Sequence, residues 1–210
     1  GNTKKVIISA TAQTSDKVLV YGFNEHEYSS EDNVISYGSC TINAYVPFAN
    51  FINKKYGVTE SDFHIIHNIA EYQIPPLPTL KRTGSTVEYI APKLLPFLNG
   101  SNFAVICTYI PYGGVSMLDY RFRLKVVPTA LQCINDIAEA VTVGDLKGLY
   151  MIDEVDHGPN NYKFTPFSAV FITSNLRVLG DSLYIHGYFD NENSVTRFYD
   201  LACFITRQVT

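Results

Sequence analysis

The chain has 210 residues, of which 46% are hydrophobic and only 17% are charged, so it holds enough apolar material for one large domain with a sizeable core. The formal net charge is −4, and lysine and arginine never occur in runs longer than two residues. This charge pattern argues against nucleic acid or an anionic membrane as a partner. The low charge content also indicates that part of the surface is covered by another protein.

The four cysteines, Cys40, Cys107, Cys133 and Cys203, are widely spaced along the chain. None lies in a C-x-x-C pair, so the sequence predicts neither a metal site nor a disulfide framework. We expect free thiols and therefore a reducing intracellular compartment, with the cytoplasm as the best fit. We find no signal-peptide pattern and no apolar span long enough for a membrane, so we expect a soluble protein.

Two short runs rich in valine and isoleucine, residues 4–12 and 17–23, open the chain. Their apolar residues are continuous rather than alternating, which is typical of strands buried on both faces of a parallel sheet. We therefore predict two parallel strands at the N-terminus. Faces of this kind need cover from another part of the chain or from a partner.

The next stretch predicts a helix over residues 40–55 with Ser39 or Cys40 near its N-terminus. Four apolar residues fall on one side of this helix: Tyr45, Phe48, Phe51 and Ile52. Residues 57–69 fit either a capped helix or a strand. The prolines and the glycine of residues 74–86 predict a loop.

The remaining pattern is mostly that of strands. A helix is predicted over residues 128–141, with Pro128 at its start, and a final helix over residues 194–206. The predicted strands cover residues 103–112, 115–127, 148–155, 168–175 and 182–190. These elements predict an α+β fold with a mixed, mainly antiparallel sheet and helices on one face.

Cys40 is the one cysteine placed at the predicted start of a helix. The positive end of the helix dipole there favours a thiolate, and a histidine brought close in space can accept or donate its proton. A small buried hydrophobic residue is the other interpretation, and it is the more common one for a lone cysteine. The residues alone leave both interpretations open.

Several segments resemble one enzyme family in the same order along the chain. "SYGSCTINA" at residues 36–44 resembles the hallmark S-x-x-S-C-T-T-N-C, which an apolar helix follows. "IIHNI" at residues 65–69 resembles a segment with a catalytic histidine, and "YFDNEN" at residues 188–193 resembles W-Y-D-N-E. These are motifs of glyceraldehyde-3-phosphate dehydrogenase, and the chain is identified as a divergent member of that family.

The resemblance implies that the chain is divided into three parts. Residues 1–35 resemble a remnant of the family's nucleotide-binding domain, which the sequence otherwise lacks. Residues 36–192 resemble the catalytic α+β domain. Residues 193–210 resemble the C-terminal helix, which in the family packs against the nucleotide-binding domain.

The resemblance also implies roles for five residues. Cys40 would be the nucleophile that attacks an aldehyde, and His67 would be the base. Asn191 would contact the nicotinamide of NAD, and Ser39 and Thr41 would help to bind substrate. NAD is expected as a cofactor only if a nucleotide-binding domain is supplied, and otherwise no cofactor is expected.

Two departures from the family concern substrate phosphate. The family's His-Ala-Ile-Thr reads His-Asn-Ile-Ala at residues 67–70, so a threonine hydroxyl is lost at Ala70. The family arginine before V-P-T is matched by Tyr109, which cannot grip a phosphate in bidentate fashion. The family's S-T-G has two alternative matches, Thr83-Gly84 and Ser85-Thr86, and the sequence does not decide between them.

These observations lead to one favoured hypothesis and two alternatives. The favoured one is a degenerate member of the family that serves as an interaction or scaffold protein in a larger assembly, and whose isolated chain is inactive. The first alternative is the catalytic half of an active NAD-dependent dehydrogenase whose nucleotide domain is on another chain or removed. The second is a cofactor-free thiol hydrolase. We expect a protein partner or a second copy to cover the N-terminal strands and the C-terminal helix.

Overall fold

The structure is a computed structural model that describes residues 3–74 and 79–209. Its strands are β1 (Val6–Ile8), β2 (Lys17–Val18), β3 (Val34–Ser36), β4 (Val58–Ile69), β5 (Arg82–Thr83), β6 (Phe103–Pro111), β7 (Ser116–Leu124), β8 (Tyr150–Asp153), β9 (Ala169–Ile172), β10 (Arg177–Leu179) and β11 (Ser182–Phe189). Its α-helices are α1 (Cys40–Tyr56), α2 (Thr86–Leu94), α3 (Ala130–Thr142) and α4 (Asn191–Val209).

One large sheet of eight strands forms the body of the fold. Seven of its strands follow the order β5-β6-β4-β7-β11-β9-β8, and β10 pairs with β11 outside this path. The pairs β4–β6 and β8–β9 are parallel and the others are antiparallel. Helices α1, α2 and α3 share a single hydrophobic core with the sheet. The predicted α+β class with a mixed, mainly antiparallel sheet is therefore confirmed.

Helix α1 crosses the centre of this core despite a proline in its interior. Ser39 caps it by accepting a hydrogen bond from the Ile42 backbone N–H, and Gly57, with a φ of +70°, ends it. Pro47 has no N–H to donate to the Asn43 carbonyl one turn earlier. The Tyr150 hydroxyl donates to that carbonyl instead, over 2.8 Å, so the buried acceptor is satisfied.

Residues 57–69, which fitted either a helix or a strand, form the central strand β4. Its side chains alternate, with Phe63 and Ile65 buried in the core and His64 exposed on the other face. Pairing with β6 on one side and β7 on the other fixes this alternation. The C-terminal end of β4 is what brings His67 to the edge of the core.

The prediction for residues 74–86 was incomplete. Residues 75–78 lie outside the described residues, but Arg82–Thr83 form β5 and Thr86 already begins α2.

The predicted start of α3 at Pro128 was also wrong by two residues. Thr129 is the cap, because its side chain accepts a hydrogen bond from the Gln132 backbone N–H, and Pro128 precedes it.

The N-terminal segment forms a separate small sheet in the order β1-β3-β2, and its strands are parallel as predicted. Its middle strand β3 was missed, since three residues are too few to show a periodic pattern. The prediction that the two runs are buried on both faces was wrong for β1, whereas the adjacent Leu19 and Val20 of the second run are fully buried. No residue of β1 or β2 is fully buried, and Val6 is 46% exposed.

Helix α4 returns from the other end of the chain to cover this small sheet. Leu201 and Ile205 of α4 share a hydrophobic cluster with Leu19, Ile35 and Tyr37. The opposite side of α4 stays open. None of the helices in the described part of the chain is long and apolar enough to cross a membrane.

Candidate functional site

The start of α1 and the end of β4 bring Cys40 and His67 together. Cys40 is the first residue of α1, and its Sγ lies 3.5 Å from Nε2 of His67. This separation is a sulfur hydrogen bond, so a proton can pass between the two side chains. The sequence predicted that these residues approach each other, and the structure brings them together at that distance.

A backbone carbonyl orients the imidazole of His67. Nδ1 of His67 lies 2.7 Å from the backbone oxygen of Asn68, and because a carbonyl can only accept, Nδ1 carries the proton. In the neutral ring Nε2 is then the acceptor, and the Cys40 thiol donates to it. Asn68 is itself held by Ser116, whose hydroxyl donates to Asn68 Oδ1 over 2.6 Å.

Burial makes this pair neutral. Cys40 is only 6% exposed, and burial raises the pKa of its thiol to about 12, although a hydrogen bond from the Thr41 backbone opposes the shift. Burial also lowers the pKa of His67, in part against the effect of its hydrogen bond to Asn68. The sequence left open whether Cys40 is a thiolate favoured by the helix N-terminus or a small buried residue. Desolvation is the largest cause of the raised pKa, so burial favours the neutral thiol.

A row of hydroxyl groups lies beside the start of α1. Ser39 Oγ is 2.9 Å from Thr41 Oγ1 and 3.4 Å from Thr86 Oγ1, which is in turn 3.3 Å from Thr11 Oγ1. The two predicted substrate-binding residues, Ser39 and Thr41, are therefore adjacent. Of the two alternatives for the family's S-T-G, Thr86 is the one whose hydroxyl reaches this row. Ser39 also serves as the helix cap, which already occupies one of its acceptor sites.

Two aromatic rings flank the imidazole of His67. The ring centroids of Tyr109 and Phe189 lie 5.6 Å and 5.7 Å from that of His67, both edge to face. Tyr109 stands opposite His67 in the β4–β6 pairing, so the strand register fixes its position. Ala70, where the resemblance implied a threonine, is exposed and has no hydroxyl.

A cavity of about 370 Å³ lies beside the end of β4, and its lining includes Asn68, Lys163, Asp190 and the predicted cofactor residue Asn191, but neither Cys40 nor His67. The amides of Asn68 and Asn191 can pair with a carboxamide such as that of nicotinamide, and the volume suits one ring. The turn after β1, at residues 9–12, contains no glycine, so this turn is not a glycine-rich phosphate cradle. The cavity fits the nicotinamide end of such a cofactor.

Asp190 is a buried carboxylic acid on the wall of this cavity that the sequence analysis did not single out. It is 4% exposed, and its Oδ1 accepts a hydrogen bond of 2.8 Å from the Asn191 backbone. Burial is the main cause that raises its pKa to about 7, and the neighbouring Glu192 acts in the same direction. In the sequence, only its position directly before Asn191 in the "FDNEN" motif indicated that Asp190 lies near the site.

We expect Asp190→Asn to stabilise the protein above neutral pH. In the unfolded chain this carboxyl titrates near pH 4, whereas in the folded chain its pKa is about 7. Between pH 4 and 7 the unfolded chain therefore releases a proton that the folded chain keeps, so the free energy of unfolding falls as the pH rises. Asparagine keeps the acceptor for the Asn191 N–H and carries no charge. The free energy of unfolding in urea should rise by about 1–2 kcal/mol at pH 8 and change little at pH 4. The control is Asp145→Asn at an exposed site, and an equal gain at both pH values would contradict this account.

Comparison with known proteins identifies close counterparts, although no family model matches the chain. It is 31% identical to "Glyceraldehyde-3-phosphate dehydrogenase 1" of Bacillus cereus over 98% of this chain and 66% of that protein. It is 32% identical to "Glyceraldehyde-3-phosphate dehydrogenase" of Atriplex nummularia, over 91% of this chain and 57% of that protein. The match to "Glyceraldehyde-3-phosphate dehydrogenase, cytosolic" of Sinapis alba is 31% identical over 96% of this chain and 63% of that protein.

The chain thus spans just under two thirds of the length of the relatives it matches. Almost every residue of it, from the small parallel sheet to α4, falls within these alignments. This coverage matches the sequence analysis, in which segments similar to the family run along nearly the whole chain. The chain belongs to the glyceraldehyde-3-phosphate dehydrogenase family.

Proposed function

We propose that this chain is a degenerate dehydrogenase domain that serves as an interaction or scaffold protein, and that the isolated chain does not oxidise glyceraldehyde 3-phosphate. The observation that carries the proposal is the packing of the Tyr109 ring beside His67, where the resemblance implied an arginine. A phenol cannot make the paired, charge-assisted hydrogen bonds of a guanidinium to a phosphate. The loss of the hydroxyl at Ala70 acts in the same direction.

The state of the thiol supports the same conclusion. A pKa of about 12 for Cys40 leaves very little thiolate at neutral pH, and the thiolate is the nucleophile. The row of hydroxyls at Ser39, Thr41 and Thr86 remains, but hydroxyls alone bind an anion more weakly than a guanidinium does. The contact between Cys40 and His67 is present, while the neutral thiol and the missing guanidinium both argue against turnover.

A second candidate is the catalytic half of an active NAD-dependent enzyme, whose nucleotide domain is on another chain or removed. The contact of 3.5 Å between Cys40 and His67, with Nε2 as the acceptor, favours it. His67 would take the thiol proton as the sulfur attacks, and Asn191 would hold the nicotinamide, which accepts the hydride when bound. Titration of the chain with a nicotinamide dinucleotide separates this candidate from the first.

A scaffold role requires a partner, and two exposed surfaces support one. On α4, Val195 is 60% exposed and Tyr199 is 65% exposed, on the side that does not face the small sheet. On the small sheet, Val6 of the edge strand β1 is 46% exposed. We infer that a second copy or another polypeptide covers the N-terminal strands and α4.

We also propose that the protein works in the reducing cytoplasm. Four unpaired cysteines and the word "cytosolic" in the name of the Sinapis alba relative support this compartment.

Light scattering on the purified chain tests the partner proposal. We expect a dimer or a larger species at tens of micromolar, since apolar side chains at an unpaired strand edge favour association. The double variant Val195→Ser and Tyr199→Ser should shift this species toward the monomer without lowering the melting temperature, because both side chains are exposed. The matched control is Tyr89→Ser, which is 63% exposed and belongs to α2, a different element. A stable monomer, with both segments protected from hydrogen exchange, would rule the proposal out.

A further inference from the structure

We propose that residues 154–161, which follow β8, form a pH-dependent latch that the protonated imidazole of His186 holds closed over an apolar cavity. The cavity lies on the outer face of the large sheet, which is the face opposite to α1. The inference uses neither Cys40 nor His67. It therefore does not rest on the proposed function, and it can hold for a scaffold protein or for a dehydrogenase.

The connection from β8 to β9, residues 154–168, packs on the outer face. Its Tyr162 is 2% exposed and belongs to a hydrophobic cluster with residues of β9 and β11. This cluster is separate from the core that α1, α2 and α3 share with the sheet. The rings of Tyr162 and Tyr188 are stacked, with their centroids 5.1 Å apart. The connection thus covers apolar side chains that would otherwise face water.

Hydrogen bonds from α4 fix the second half of this connection. Nδ2 of Asn193 donates to the Tyr162 carbonyl over 2.9 Å, and the Arg197 guanidinium donates to the Pro166 carbonyl over 3.2 Å. Asn193 is 2% exposed and Arg197 is 4% exposed. An amide has no charge to lose and a guanidinium stays protonated, so a change of pH leaves this half in place.

Asp156 holds the first half of the connection, which is the latch. Its carboxylate accepts hydrogen bonds from the Tyr188 hydroxyl over 3.0 Å and from the Gly158 backbone N–H over 2.9 Å. Its Oδ2 also lies 3.8 Å from Nε2 of His186. The side chain of His186 is only 16% exposed, so water screens this charge pair less than a pair on the open surface.

The tautomer of His186 sets the direction of the pH effect. Nδ1 lies 2.8 Å from Oδ1 of Asp119, and because a carboxylate can only accept, Nδ1 carries a proton. In the neutral ring, Nε2 therefore presents a lone pair to the Asp156 carboxylate and does not attract it. In the protonated ring, Nε2 also carries a proton, and the imidazolium joins a carboxylate of β7 to one of the latch.

The closed latch therefore binds a proton more strongly than the open latch. Closure is favoured at low pH and weakens as the pH rises through the range of 5 to 8, in which histidine side chains change charge. Of the groups around His186, Asp119 and Asp156 are the ones that form an ion pair with it in the described part of the chain. The other titratable or charged groups on the neighbouring elements are His64 of β4, Arg121 of β7, Asp153 of β8, His157 and Tyr162 of the connection, Arg177 of β10, and Tyr184 and Tyr188 of β11.

The closed latch borders a cavity of about 270 Å³. Pro159 of the latch and Tyr188 form part of its wall. The rest of the lining comes from β4, β6, β7 and the turn between β6 and β7, and consists of Ile66, Ile110, Tyr112, Val115 and Met117. Pro159 is three residues from Asp156, so release of Asp156 lets Pro159 leave the cavity. The open latch then exposes an apolar site that fits small uncharged ligands.

Hydrogen exchange of the full chain, followed by mass spectrometry, tests the latch. The exchange rate of residues 154–161 in each variant is divided by the wild-type rate at the same pH, which removes the intrinsic pH dependence of exchange. We expect His186→Gln to exchange about five- to tenfold faster than the wild type at pH 5.5, and at nearly the wild-type rate at pH 8. Asp156→Asn should behave in the same way. It keeps an acceptor for Tyr188 and Gly158, so the test stays informative if His186→Gln does not fold.

His157→Gln is the matched control, because it removes the other histidine of the same segment, whose side chain is 55% exposed. Its exchange rate should equal that of the wild type at both pH values. Residues 162–166, which α4 holds, should show no pH-dependent difference in any variant. The proposal is overturned if His186→Gln and Asp156→Asn exchange at the wild-type rate at pH 5.5, if they are equally fast at both pH values, or if His157→Gln has the same effect.

A second measurement tests what the latch covers. Nile red, an uncharged apolar dye, should bind the wild-type chain about threefold more tightly at pH 8 than at pH 5.5, and His186→Gln should bind it equally at both. Ile66→Arg places a charge in the cavity and should abolish the pH-dependent binding. The matched control Ile134→Arg, in a separate apolar cavity between α3 and β8, should preserve it. Dye binding that is independent of pH in the wild type, or that Ile66→Arg leaves unchanged, would contradict the proposal.

Discussion

At pH 7 we expect Cys40 to react with iodoacetamide on the order of 10³ times more slowly than a free thiol, whose pKa is about 8.5. The reason is the burial that raises the pKa of Cys40 to about 12. Only the thiolate reacts, so the rate should rise tenfold with each pH unit and reach no plateau below about pH 10. The measurement is the alkylation rate of the Cys40 peptide from pH 7 to 10, followed by mass spectrometry.

Two controls make this profile specific. Cys203 is a partly exposed free cysteine and should be alkylated in the same sample, which shows that the reagent is active. His67→Gln removes the imidazole and should leave the slope of the Cys40 profile unchanged, because the resting pair is neutral. A plateau below pH 8 in the wild-type protein that disappears in His67→Gln would instead establish a thiolate–imidazolium pair.

The sequence was most informative where the pattern is long and local. The helix over residues 40–55 and five strands of the large sheet, β6, β7, β8, β9 and β11, were predicted within a few residues, because periodicity and β-branched residues indicate them directly. The central strand β4 was left between helix and strand. The approach of Cys40 and His67 came from the resemblance and not from spacing. The two residues are 27 positions apart, and only the packing of α1 on β4 brings them together.

The errors share a physical cause. β3 and β5 are only three and two residues long, and strands of that length leave no periodic pattern. The packing of α4 on the small sheet joins the two ends of the chain, so no local pattern indicates it, and only the resemblance implied that this helix packs against the nucleotide-binding domain. The pKa of Cys40 depends on its burial by tertiary neighbours, so a motif that predicts a reactive thiol cannot fix its protonation state.

The second large effect concerns glyceraldehyde 3-phosphate. Each lost charged or hydroxyl contact to its phosphate weakens binding by about 1.5–3 kcal/mol, and Tyr109 and Ala70 remove two of them. Two such losses lower the catalytic efficiency by a factor of about 10²–10⁴. This factor does not include the effect of the buried, protonated thiol. We expect the double variant Tyr109→Arg with Ala70→Thr to bind inorganic phosphate more tightly than the wild-type chain in calorimetric titration, and Tyr109→Phe with Ala70→Thr to gain much less.

The measurement that tests the central claim most directly is NAD reduction by the purified chain with glyceraldehyde 3-phosphate and inorganic phosphate. Absorbance of the reduced nicotinamide is followed over hours, beside a Cys40→Ser variant purified in the same way. We predict no turnover above that variant, because the thiol is protonated and the phosphate contacts at Tyr109 and Ala70 are lost. Sustained turnover by the wild-type chain that Cys40→Ser abolishes would contradict a degenerate domain and would establish an active dehydrogenase.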